Sequence, residues 1–253
     1  MRIVTWNVNG LRAALRKGFP DFIERLAPDV LLLQEVRSTP QQLPPEWAAP
    51  AGWNVVWHPA EKLGYAGTAV WSRETIDDVK TGMDAPDPDG RVLRVRTGGV
   101  EVVSVYLPSG SSSPERQLYK DGWMPPFAAW SAGVKASAAH PVVMGGDFNI
   151  AHTPDDIHDP KGNAKNSGFL PHERDWFGEL LGSGWRDLLR EHVGKRKGPY
   201  SWWSNRGQAR ALDRGWRIDY LLGNEPVALT GADVHREGGL VVSDHAPVIV
   251  DLG

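Results

Sequence analysis

The stretch Pro141-Val142-Val143-Met144-Gly145-Gly146-Asp147-Phe148-Asn149 constrains this chain more than any other. Its apolar run fits a strand buried on both faces, as in a sheet covered by helices. The two glycines permit a sharp turn and a close approach of neighbouring groups. Asp147 and Asn149 follow, two residues apart, and on an extended backbone they share a face. A proton acceptor and a neutral donor then meet at the strand's C-terminal mouth. The pair suits chemistry at a phosphate, with a carboxylate to hold or deprotonate a water and an amide to hold an oxyanion. The alternative is an Asx turn closing a core strand.

The same arrangement recurs along the chain. A strand over Met1–Asn9 ends in Asn7 and Asn9, and one over Val30–Glu35 ends in a carboxylate. Hairpins are expected from Trp53–Trp57 with Thr68–Trp71, and from Val92–Arg96 with Val100–Tyr106, which brings a phenol to a strand mouth. Asp219 falls in a strand over Trp216–Leu222, and Asp244-His245 precedes one over Val248–Leu252. Further strands are expected at Tyr200–Ser204 and Val227–Val234. The helical segments are Leu11–Lys17, Asp21–Leu26, Trp123–Ala139, Glu173–Leu181 and Trp185–His192. Thr39–Pro50 reads as an irregular connection. Ala151–Leu170 is a long irregular segment, and loops of that length in a compact domain are commonly functional. Alternating strands and helices with several hairpins predict an α/β chain with mixed sheets and outer helices.

The 253 residues, with 41% hydrophobic and 23% charged, suit a globular chain forming one catalytic domain over 1–253. No apolar run approaches the ~20 residues of a membrane helix, and the N-terminus enters a strand pattern directly, without a secretory signal. The cytoplasm is the expected location, with activity at the nucleoid if the source is bacterial. The absence of cysteine excludes disulfides, thiolate zinc sites and cysteine nucleophiles. The net charge of −3 does not advertise nucleic-acid binding. Between Lys195 and Arg217, however, seven basic residues face one acid, Asp213. A local basic surface matters more for phosphate contact than the total. Trp202 and Trp203 lie inside it and are suited to stacking on a base or sugar.

The strand-end groups Asn7, Glu35, Tyr106, Asp147, Asn149, Asp219, Asp244 and His245 are oxygen-rich, which favours Mg²⁺ or Mn²⁺ over zinc. Glu35 with Asp244 or Asn7 would hold such an ion. Asp219 is placed to accept a hydrogen bond from His245 and fix its tautomer and charge. A serine-hydrolase triad is the competing reading, but the chain has no Gly-x-Ser-x-Gly elbow.

The segments Thr5-Trp6-Asn7-Val8-Asn9-Gly10-Leu11-Arg12, Leu33-Gln34-Glu35, Gly145–His152, Trp216-Arg217-Ile218-Asp219-Tyr220 and Ser243-Asp244-His245-Ala246-Pro247 resemble the successive motifs of the exonuclease III family of apurinic/apyrimidinic endonucleases. That family lies within the endonuclease/exonuclease/phosphatase, DNase I-like group. The motifs keep family order over essentially the whole chain. The Asp147 and Asp244 motifs fit the whole group. Asp159-Pro160-Lys161-Gly162-Asn163 with Asn166, and Gly215–Asp219, are closer to its DNA-repair branch.

The resemblance implies a four-layered α/β sandwich of two mixed sheets packed face to face and flanked by helices. It implies that Glu35 is the principal metal ligand, with Asn7 and Asp244 nearby. Asp147 would position or deprotonate water, Asn149 and His245 would hold phosphate oxygens, Asp219 would orient His245, and Tyr106 would touch the phosphate. Arg91, Lys161, Asn163 and Asn166 would approach the DNA backbone or sugar. Trp202 and Trp216 would line the pocket for an extruded abasic sugar. The loop Asn205-Arg206-Gly207 departs from the apolar wedge of some relatives. Arg206 is expected to fill the DNA stack or, alternatively, to contact a phosphate. Ser109 stands where some relatives have an amide.

The implied function is a Mg²⁺-dependent monomer that cuts duplex DNA 5′ to abasic sites and acts on blocked 3′ ends, with some 3′–5′ exonuclease activity. The alternatives are another phosphodiesterase of the group, acting on RNA or a phosphorylated small molecule, and a non-catalytic nucleic-acid-binding module.

Overall fold

The computed structural model describes residues 1–236 and 239–253. In chain order the strands are β1 (Arg2–Asn7), β2 (Val30–Gln34), β3 (Asn54–His58), β4 (Thr68–Ser72), β5 (Ile76–Thr81), β6 (Val92–Thr97), β7 (Val100–Tyr106), β8 (Val142–Asp147), β9 (Arg186–Asp187), β10 (Trp202–Trp203), β11 (Gly215–Trp216), β12 (Asp219–Gly223), β13 (Leu229–Val234) and β14 (Val248–Leu252). They form two six-stranded sheets, β13-β14-β1-β2-β4-β3 and β5-β6-β7-β8-β12-β9, and a ribbon of β10 with β11. Each large sheet has one parallel pair at its centre, β1 with β2 and β7 with β8, among antiparallel neighbours. The mixed sheets read from the sequence are therefore present.

Alternation along the central strands sorts their side chains into layers. Ile3, Leu32, Val102, Val143 and Leu221 pack between the sheets. Val4, Trp6, Leu31 and Trp71 point outward, under α1 (Leu11–Arg16) and α2 (Phe19–Leu26), against Phe19 and Phe22. Val103, Met144 and Tyr220 point outward on the other side, against Phe127 and Phe177. Those last two belong to the long helix α3 (Pro114–Ser137) and to α4 (Pro171–Gly182). The result is a helix–sheet–sheet–helix stack. Each fully buried large apolar side chain contributes about 1.5–3 kcal/mol.

Gly145 and Gly146 do not form the turn expected of them. Both lie inside β8, where the need is for space. A Cβ at Gly145 would sit 2.5 Å from Leu221 and 2.8 Å from Leu32 of the opposite sheet, and one at Gly146 would overlap Val105 O. Gly145 lets the sheets approach closely just before Asp147, and Gly146 leaves room for the neighbouring strand β7.

Four other expectations are corrected. The expected helix over Trp123–Ala139 is a single helix starting at Pro114 and continuous through Pro125 and Pro126. The short helix expected from Trp185 starts at Leu188, after β9 has paired with β12. Tyr200–Ser204 is strand only at β10, Trp202–Trp203. Trp216–Leu222 is not one strand, because the chain leaves β11 at Arg217 and resumes ladder pairing at Asp219.

The cause of that break is a buried ion cluster. Arg217 Nε donates to Asp156 Oδ1 at 2.6 Å and its NH1 to Asp187 Oδ2 at 2.7 Å, while Arg190 donates to Asp156 at 2.6 Å. Asp156 also accepts from Thr153 N and Oγ1. Burial opposes its charge, but the two arginines and the hydroxyl hold its carboxyl well below the usual range. Replacing it removes the carboxylate that Arg217 and Arg190 share and leaves the buried Arg217 with Asp187 as its one remaining acid. Asp156→Asn should cost about 3–5 kcal/mol in urea unfolding at pH 7. Because the folded pKa is depressed, the Asp156 contribution is complete above the ordinary 3.8 and is lost as pH falls below it. The variant's deficit should therefore shrink toward pH 2, and a deficit independent of pH would contradict this account.

Candidate active site

Register alone places three functional side chains in a row. Tyr106 pairs with Asp147 across β7 and β8, and Asp219 pairs with Asp147 across β12 and β8. Neighbours across a ladder lie about 5 Å apart on one face. From the other sheet, Asn7 at the end of β1 faces this row. Its Nδ2 donates to Glu35 Oε1 at 2.8 Å and to Asp147 Oδ2 at 2.9 Å. One amide thus joins carboxylates of both sheets. Glu35 itself has φ +50°, so β2 ends there and the side chain turns to the shared mouth. Arg37 pairs with its other oxygen.

His245 closes the opposite side. Its Nδ1 lies 2.9 Å and 3.1 Å from the two Asp219 oxygens, and its Nε2 lies 3.9 Å from Asp147 Oδ2. Ser201 Oγ donates to Asp219 Oδ2 at 2.6 Å and accepts from the Ile218 and Asp219 amides. Asp219 is thereby fixed, and it fixes the imidazole with Nδ1 protonated. Asp244 does not join the two carboxylates on Asn7. It accepts from Asn9 Nδ2 at 2.8 Å and Trp202 Nε1 at 3.2 Å, on the wall of the same cleft.

The electrostatics divide the group. Burial pushes the Asp147 carboxyl up, Asp219 and Glu35 push it further, and His245 partly offsets them, leaving it at about 7. Burial pushes His245 down, but Asp219, with Asp147 and Asp244 near it, more than reverses this and raises it to about 10. Burial and the Glu35 and Asp147 carboxylates raise the Tyr106 phenol well above 10.0, so it is a neutral donor.

Asp147, Asp219 and His245 offer ligand-type atoms within 4.8 Å of one another. A protonated imidazole has no lone pair to give, however, and Asp219 is already committed to it. Glu35, a hard carboxylate that meets Asp147 across one amide, fits a divalent cation better. Two buried carboxylates in such proximity gain most from added positive charge.

Asn149 does not extend β8 as expected. Its φ is +51°, its N–H bonds Asp147 Oδ1 at 2.9 Å, and its Nδ2 donates to Leu107 O at 2.9 Å. The Asx turn and the site are therefore the same feature. Asn149 lines the cleft, about 760 Å³, with Tyr106, Asn166, Trp202 and Trp216. The two tryptophan rings meet edge to face at 6.0 Å. Lys161 and Arg206 are exposed outside the cleft, and Asn163 lies in the turn that supports Asn166. Arg91 is placed differently from expectation. It is 1% exposed, with its guanidinium spent on Asp89, Tyr65 and Tyr106 O, and it supports Tyr106 from below.

Residues 4–245 match the Endonuclease/Exonuclease/phosphatase family. The chain belongs to that family. It is a hydrolytic nuclease. An exodeoxyribonuclease of Bacillus subtilis is 35% identical over 251 residues, 98% of each chain. The DNA repair nuclease APEX1 of Danio rerio is 33% identical, over 100% of this chain and 82% of its own. Among solved structures, the Neisseria 3′ phosphatase NExo bound to a product DNA hairpin superposes with TM-score 0.91 at 32% identity, covering 100% and 99% of the two chains. An AP endonuclease from Archaeoglobus fulgidus gives 0.89 at 26% identity, with 100% and 99% covered.

For a member of this family, the residues that sequence reasoning missed are supports. Ser201 sits in a segment read only as strand, and Arg37 follows Glu35 by two residues. Neither carries a motif signal of its own; only the carboxylates they satisfy point to them. The His245 assignment has a direct test. Its ring should titrate near pH 10 by NMR, and in Asp219→Asn it should fall toward or below 6.5, because burial is then less opposed. Stability from the pair is complete below 6.5 and is lost as pH rises through about 10. An unchanged titration in the variant would contradict the ion pair.

Proposed function

We propose that this chain is a Mg²⁺-dependent DNA-repair nuclease that incises duplex DNA 5′ to abasic sites, with Mn²⁺ as substitute, leaving a 3′-hydroxyl and a 5′ deoxyribose phosphate. It acts as a monomer in the cytoplasm. The observation that carries the proposal is that Asp147, Asn149, Tyr106 and His245 line the same cleft as Trp202 and Trp216.

A phosphodiester is attacked in line while charge builds on its oxygens. Asp147, ionisable near neutral pH, takes the proton of the attacking water. The His245 imidazolium and the Tyr106 phenol donate to the non-bridging oxygens, and the Asn149 amide lies beside them. Asp219 keeps the imidazolium charged and oriented. Glu35, with Asn7 and Asp244 near it, would hold a divalent cation, which supplies charge neutralisation at the phosphate. The tryptophan walls suit a sugar without a base, and extruding such a nucleotide costs less than flipping an intact one. Asn166 lines the cleft, with Asn163 supporting it, and with the exposed Lys161 it would contact the passing backbone. The exposed Arg206 would fill the DNA stack or contact a phosphate, and Arg91 would act through Tyr106.

The likeness to NExo favours a second reading, a 3′ phosphatase acting on DNA. One comparison decides between them. Cleavage of an abasic duplex should exceed removal of a 3′-phosphate from a nicked duplex; the reverse order supports the phosphatase. Asp147→Asn should bind the abasic duplex normally and cut it about 10²–10⁴-fold more slowly. Near-normal cutting by that variant would refute the role given to Asp147.

A further inference from the structure

Lys120 and Glu173 form an ion pair that the proposed chemistry does not use, although both side chains are 0% exposed. Lys120 lies on α3 and Glu173 in the first turn of α4. Lys120 Nζ donates to Glu173 Oε1 at 2.5 Å and to Asn149 O at 2.8 Å. Glu173 Oε1 also accepts from Gln117 Nε2 at 3.1 Å. Its Oε2 accepts from Gly168 N at 2.7 Å and Leu170 N at 2.9 Å. Gly168 O in turn accepts from Ala151 N at 2.8 Å. One buried pair therefore ties two helices to two loops, Asn149–Ala151 and Gly168–Leu170.

Both loops carry working parts. Asn149 holds a left-handed conformation, φ +51°, in which a non-glycine residue is strained by about 1–3 kcal/mol unless its surroundings enforce it. Its carbonyl is captured by Lys120. Gly168, at φ +90°, packs so closely that an added Cβ would lie 3.0 Å from Asn149 O and 3.1 Å from the Trp216 ring. The Gly168 segment thus packs on both Asn149 and Trp216, and the pair binds the backbone on each side of that contact. A pair serving stability alone would not need to be ionic, since well-packed apolar side chains often do as well or better. Here Glu173 Oε2 is spent on the Gly168 and Leu170 amides, and Lys120 Nζ, paired with Oε1, also binds the Asn149 carbonyl beside the cleft.

We infer that Lys120 and Glu173 are positioning residues, which set the Asn149 amide against the scissile phosphate and the Gly168 segment against Trp216 before DNA arrives. The inference rests on the abasic-site reading given above. Displacing a positioned group by about 1 Å can cost on the order of 10²-fold in rate.

The test uses single-turnover cleavage of an abasic duplex, with the scissile phosphate carrying oxygen or sulfur at each non-bridging position in turn. Wild-type protein comes first; failure to cut there would refute the abasic-site reading, and the pair is then judged by the exchange of the amides it holds. Given wild-type cutting, Lys120→Met should slow the step roughly 10–100-fold at saturating DNA. Its affinity for undamaged duplex should stay within about twofold, because that binding rests on exposed phosphate contacts. The sulfur effect at the oxygen held by Asn149 should shrink, since the contact is already lost. A merely structural role would leave that effect at its wild-type size. Lys120→Met/Glu173→Gln removes both charges and guards against loss of folding in the single variant. It should show the same slowing and the same reduced sulfur effect. In the wild-type protein, the Gly168 and Leu170 amides should be protected from hydrogen exchange to a similar degree. Wild-type rates with an unaltered sulfur effect in either folded variant, or rapid exchange of both amides, would overturn the inference.

Discussion

The side-chain amide of Asn7 is the point on which the structure turns. It donates to Glu35 and to Asp147, which belong to different sheets, at 2.8 and 2.9 Å. Two carboxylates buried side by side repel each other, and neither is tolerated without compensation. The rest of the site supplies it: Arg37 on Glu35, the Asn149 backbone N–H on Asp147, and the His245 imidazolium 3.9 Å away. The fold meets the same demand. β1 and β8 must be central strands of facing sheets with level ends, and Gly145 allows the sheets to approach closely enough for Asn7 to span them. Inter-sheet polar contacts, from Gln34 Nε2 to Ser104 Oγ at 3.0 Å, fix the same alignment one layer below.

From this arrangement the functional division follows without further machinery. Burial acts on all the titratable groups, but their neighbours send them in opposite directions. Asp147, crowded by other acids, is held near neutrality and can exchange a proton. His245, paired with Asp219, stays charged across the physiological range and is a fixed donor. Pairs of groups whose environments push their pKa values apart define who transfers protons and who stabilises charge.

Much of this was legible in the sequence because buried strands announce themselves. Val30–Leu33 and Val142–Met144 are continuous apolar runs, and the polar residue ending each is costly to bury without a purpose. The motifs around Asp219 and His245 named a pair that the structure brings into contact. What was missed lacks such a signal. β5, Ile-Asp-Asp-Val-Lys-Thr over Ile76–Thr81, is a mostly exposed edge strand whose charges hide its identity. Arg91 was read as a cation near DNA because sequence cannot show that Asp89, Tyr65 and a carbonyl already occupy its guanidinium. The turn at Asn149 departs from a strand reading because Asp147 Oδ1 captures its N–H, a local bond that outcompetes the ladder. Lys120 and Glu173 are ordinary in the sequence, and only three-dimensional convergence marks them.

The most direct test is cleavage of a duplex carrying one abasic-site analogue, run beside the undamaged duplex, with Mg²⁺ and with chelator. The account predicts a single metal-dependent cut 5′ to the lesion and little cutting of the undamaged strand. Cutting that survives the chelator, or metal-dependent hydrolysis confined to RNA or to simple phosphodiesters, would contradict it.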